Sequence, residues 1–132
     1  MNDKAHILYF NLGPIPLWFG FTARPKHFKQ EMKRLGISNP PTFTHEGAPA
    51  TAHYFTHPRN GLMVIVTIDK AQAKKHSRDE VYGLLTHEAV HVYQRAIESM
   101  RDNSPSDEFM AYCIQDWSQK LWLAYEDDKR AR

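Results

Sequence analysis

The run Leu62-Met63-Val64-Ile65-Val66-Thr67-Ile68 constrains this chain more than any other segment, because alternate residues of a strand point to opposite faces and here both faces are nearly apolar. Such a strand has to be central and covered on both sides. Before it, Thr51 to His57 and the turn Pro58-Arg59-Asn60-Gly61 complete a hairpin pattern. The first arm mixes His53 and His57 with Tyr54 and Phe55, so it is the better edge candidate. His6 to Leu12 reads as a further strand ending at Gly13-Pro14, and residues 38–50 as a loop punctuated by Pro40, Pro41, Gly47 and Pro49. Ile15 to Phe21 is too apolar for idle coil and should pack over the core or line a cleft.

Helical spacing takes over elsewhere. Pro25 can open a helix to about Leu35, with Phe28, Met32 and Leu35 on one stripe, Lys26, Lys29 and Lys33 outside it, and Gly36 as the stop. Asp79 and Glu80 start a second helix through Val81, Leu84, Leu85, Val90 and Ile97, fraying around Asp102-Asn103. Ser104 is the expected cap of the next, with Pro105 at its first position and Asp107 as the capping-box acid. That helix carries Phe109, Ile114, Trp117, Leu121 and Trp122 to about Tyr125, and residues 126–132 read as a frayed tail. The expected architecture is one α+β domain over residues 1–125, a small mostly antiparallel sheet packed on a helix pair.

With 132 residues the chain can build one sizeable core but not two comfortable domains. A net charge of +2, with scattered Lys and Arg, gives no reason to expect nucleic acid as a partner. No apolar run approaches the roughly 18 residues a membrane helix needs, and the segment from Met1 to His6 has no signal-peptide pattern, so the expectation is a cytoplasmic protein with no membrane partner. Cys113 is alone, which rules out an intramolecular disulfide and fits a reducing compartment; beside Ile114 it reads as a small buried hydrophobe.

The chemistry concentrates in His87-Glu88-Ala89-Val90-His91, an HExxH motif inside the second helix. Residues advance about 100° each, so His87 and His91 lie one turn apart on one face and can grip a single metal ion. Glu88 then points a carboxylate at a metal-polarised water and is the expected general base. A catalytic zinc takes three protein ligands, so a third is needed. Glu98 stands about 10 Å along the axis from His91, too far for one ion. Glu108 lies on a separate helix after a short turn and can fold back toward the histidines, with small Ala111 permitting close approach. Tyr112, one turn further, offers a phenol to a tetrahedral oxyanion or simply packs between helices. Tyr93, His76 and Gln115 are weaker candidates for that role. Nothing places His6, His27 or His45 near the helix pair, and they read as surface or packing residues.

HEAVH with the downstream Glu108-Phe109-Met110-Ala111-Tyr112 resembles the gluzincin-type zinc metallopeptidases, most closely the compact single-domain versions common among phage and prophage proteins, over roughly residues 50 to 122. The resemblance implies a zincin-like fold, one Zn2+ held by His87, His91 and Glu108, and Glu88 as base. It also implies that an extended peptide or protein substrate adds to the edge strand along Ala52, His53, Tyr54 and Phe55. The departure from the family pattern is brevity: after the Glu108 helix no second lobe is expected to close a cleft. A zinc amidase acting on cell-wall peptide, and a non-catalytic phage or prophage interaction module stapled by zinc, are the alternatives, with a virion as the alternative location; Glu88 argues against the second, since a structural zinc gains nothing from a base.

Overall fold

The structure, a computed structural model, describes residues 4–131. It is α+β: among the described residues β1 (Leu8–Tyr9), β2 (Trp18–Thr22), β3 (Ala50–His57) and β4 (Gly61–Ile68) form one sheet, joined by α1 (Pro25–Arg34), α2 (Lys70–Ala73), α3 (Arg78–Met100) and α4 (Asp107–Arg130). The strand order is β1-β2-β4-β3. β4 is therefore internal and β3 is an edge, as the two hairpin arms require. The β1/β2 and β3/β4 pairings are antiparallel, but β2 runs parallel to β4, so the sheet is mixed. The parallel pair needs a crossover, which α1 and β3 supply.

β4 divides the core in two. Met63 and Ile65 meet Phe28, Met32 and Leu35 of the α1 segment, while Val64, Val66 and Ile68 meet Leu85, Ala89 and Val92 of α3 and Trp117 and Leu121 of α4. All five of those β4 side chains are fully buried. The apolar residues around Trp18 that resisted assignment are β2, hidden in the sequence by Pro14, Pro16 and Gly20. Gly20 leaves room there for neighbouring side chains: a Cβ would stand 2.8 Å from Ile7 Cδ1 and 2.9 Å from Tyr9 Cε1, so those side chains would have to shift.

Three boundaries differ from expectation. The first strand shrinks from His6–Leu12 to two residues. Ser106, not Ser104, caps α4: its backbone is extended and its Oγ accepts the Phe109 N–H at 3.0 Å. Ser104 remains in the loop, its N–H donating to Asp102 Oδ1. Residues 126–130, expected to fray, are the last turns of α4, held because Asp128 pairs with both Arg24 (3.0 Å) and Lys70 (2.8 Å) while Glu126 pairs with Arg78.

Beneath the α1 face, Glu31 is fully buried, and its carboxylate accepts from Tyr9 OH (2.6 Å), His6 N (2.9 Å) and Arg34 Nε (2.9 Å). Burial pushes this carboxyl up, but the hydrogen bonds from Arg34, His6 and Tyr9 outweigh it and hold it below its ordinary range. They also tie the short β1 to α1.

Two outcomes follow. Ser106→Ala should lower the unfolding free energy by about 1 kcal/mol in urea melts, and Ser104→Ala should leave it unchanged. Because the folded Glu31 carboxyl is depressed, its contribution is fully present above its unfolded value of about 4.3 and is lost as pH falls through the lower folded value. The thermal midpoint should therefore drop more steeply on acidification in wild type than in Glu31→Gln.

Candidate active site

α3 is set firmly at its start. Ser77 Oγ accepts the Glu80 N–H and Glu80 Oε1 accepts the Ser77 N–H at 2.8 Å, a complete capping box. Val81, Leu85, Ala89, Val92, Tyr93 and Ala96 then form the buried stripe against sheet and α4. With that stripe inward, helical geometry turns His87 and His91 to solvent and Glu88 toward β3.

The two imidazoles face each other: the Nε2 atoms are 3.1 Å apart and the rings are edge to face with centroids 4.6 Å apart. Two ligands on a tetrahedral zinc, each at about 2.0–2.1 Å, stand ~3.4 Å apart, so this pair already presents a bite of nearly the right width. His91 Nδ1 lies 3.2 Å from Gln94 Oε1. A carbonyl oxygen can only accept, so Nδ1 carries the proton and Nε2 keeps its lone pair for a metal.

Beside the pair, a cleft of about 360 Å³ opens between α3 and the edge strand, lined by Glu88 and His91, by Ala52 and Tyr54 of β3, and by His45 from the loop before it. Gln94, Arg95 and Glu98 continue the lining along α3. Glu88 is half-buried, and burial pushes its carboxyl above the ordinary range, opposed by the charges of His87, His91 and His45. Burial, then the Glu88 charge, also raises the Tyr54 phenol, which Arg95 counters.

The expected residues are gathered only in part. His87 meets His91 on α3, and His91 and Glu88 line this cleft. Glu108, Ala111 and Tyr112 lie on the exposed flank of α4, with Tyr112 66% exposed, since the stripe of Cys113, Trp117, Leu121 and Ala124 fixes that helix's rotation. Among the described residues no group of three or more His, Cys, Asp or Glu side chains is poised around a metal position. Of the four edge-strand residues, Ala52 and Tyr54 face the cleft, while His53 and Phe55 face the α1 side. His53 is buried there, its Nε2 2.9 Å from Phe43 O and 3.2 Å from Thr67 Oγ1. Tyr93 turns inward, its hydroxyl buried and without a hydrogen bond among the described residues. His76 sits beyond the start of α3 near Glu80.

Sequence reasoning missed His45, Gln94 and Arg95. The same i+3 and i+4 spacing that paired the histidines puts Gln94 and Arg95 one turn beyond His91. His45 carries no local signal: it is drawn in because its N–H donates to Thr51 Oγ1 at 3.0 Å and its carbonyl accepts the Ala48 N–H at 2.9 Å, which ties the loop to the base of β3. Comparison with known proteins finds no family model, curated protein or solved structure that matches this chain.

Gln94→Leu should release the His91 tautomer, seen as a shift of its ring 15N signals, while the melting curve stays in place.

Proposed function

We propose that this protein is a zinc-dependent peptidase of zincin-like fold, in which His87 and His91 hold the ion and Glu88 is the general base. The observation that carries the reading is the 3.1 Å approach of two Nε2 atoms across one helical turn, with Gln94 orienting one of them and a half-buried carboxylate next to them in a cleft. The two histidines fit a zinc ion in donor type and spacing, and His91 also in tautomer. Glu108 is the proposed third ligand on its place in the sequence; its carboxylate is exposed and makes no ion pair among the described residues, and the first turn of α4 would have to swing toward His91 to bring it in.

When bound, zinc supplies Lewis acidity toward a carbonyl oxygen and toward water. The chain's own residues do the rest. Glu88, whose burial favours the protonated form, accepts a proton from the attacking water and returns it to the leaving amine. Tyr54, on the opposite wall of the same cleft, replaces Tyr112 as the phenol positioned to donate to the carbonyl oxygen of the scissile bond. Among the described residues the outer edge of β3 bears no further strand, so an extended peptide can pair with it and bring its backbone past Glu88.

Purified protein should bind about one equivalent of zinc, with loss in His87→Ala and His91→Ala, while Glu88→Gln keeps the metal and loses hydrolysis of a peptide library. Glu108→Ala should weaken the metal and Glu98→Ala should not. Stoichiometric zinc in the double histidine variant, or hydrolysis at near wild-type rate in metal-replete Glu88→Gln, would reject the reading.

A further inference from the structure

Arg95 stands four residues beyond His91 on the same flank of α3, about 6 Å further along the axis, and lines the same cleft. Its guanidinium carbon lies 4.5 Å from the centroid of the Tyr54 ring, which fixes the long side chain against the edge strand. Arg24, Arg34 and Arg78 are each held by a carboxylate. Arg95 enters no ion pair among the described residues, although Glu98 lines the cleft three residues on. A guanidinium resting on a ring keeps its in-plane N–H donors available, and their fork matches a carboxylate. An oriented cation with unused donors, one turn from the paired histidines, is the arrangement an anionic part of a ligand would need.

We propose that Arg95, braced by Tyr54, binds a carboxylate of the peptide substrate, and specifically the C-terminal carboxylate, so that the cleft works on bonds close to a free C-terminus. The reach favours the terminus over a side chain: one helical turn separates the His91 and Arg95 backbone positions, a span of about one to two residues of extended chain, at roughly 3.3 Å each. Glu98, one turn beyond Arg95 in the same lining, disfavours further negative charge past the guanidinium. The meaning of the cleft rests on the peptidase reading, but the binding it predicts does not depend on turnover.

Calorimetric titration of the full chain, metal-free and zinc-loaded, with N-acetyl-trialanine, its C-terminal amide, and the amide of N-acetyl-Ala-Glu-Ala tests this. The free acid should bind about tenfold tighter than its amide, as expected for one charge-assisted contact. Arg95→Gln should bring acid and amide within about twofold, leaving amide affinity, melting temperature and zinc content unchanged, and Arg95→Lys should recover only part of the preference. The glutamate-containing amide should behave like the trialanine amide. Equal binding of acid and amide, no binding of the acid, or a preference that survives Arg95→Gln would overturn the proposal; acid-like binding of the glutamate peptide would overturn the C-terminal assignment. Failure to bind zinc would sink the peptidase reading and leave these titrations readable, whereas zinc binding with no acid preference would sink this inference alone.

Discussion

The site depends on how α3 is rotated against the sheet. Ala89 and Val92 are fully buried and Leu85 nearly so. A helix so fixed has no freedom to choose which way its other residues face, because each follows at a multiple of about 100°. Ala89 lies between Glu88 and Val90 in the middle of HExxH, so the packing contact and the chemical motif occupy the same turn. Its methyl lets the helix axis come close to β4, which brings Glu88 down beside β3 and leaves the imidazoles above. A larger side chain at 89 would lift that turn and move packing and geometry together.

The other face of the sheet supports this indirectly. α1 and the buried Glu31 hub cover Met63 and Ile65, so β4 is held from both sides and cannot slip in register without turning its apolar residues over. β3 is positioned through β4, since its eight residues pair only inward. The cleft therefore has one wall fixed by helix packing and the other by strand register, and both trace back to the one strand that is apolar on both faces.

That strand, the hairpin, the central helices and the edge position of β3 were legible in the sequence because each rests on a local period or a local turn. What was not legible lies where distant segments meet. Ser104 and Ser106 both precede acidic residues, and only the packing of α4 decides between them. The tail from Glu126 looks solvent-bound until Arg24, Lys70 and Arg78 arrive from elsewhere in the chain. His87, Glu88 and His91 could be read as one constellation because a single helix carries them. His45 could not, as its place depends on a loop anchored to Thr51, and Glu108 was assigned to the same constellation across a loop whose path the spacing does not determine.

This difference bears on how a small domain can build an active site. A cleft between an edge strand and one helix is open along its length, and no second lobe is present among the described residues to enclose a ligand. Enclosure is one source of orientation; the others are backbone pairing and a fixed charge. β3 offers unpaired backbone along its outer edge, which sets direction but tolerates sliding by two residues, since the strand repeat is two. A charge at one end of the cleft removes that ambiguity. Arg95 is suited to the task because Tyr54 already restricts it, so less side-chain entropy is lost on contact than for a free surface arginine. In the reading proposed above, register from the strand and a stop from the cation together fix one peptide bond beside Glu88 without a lid.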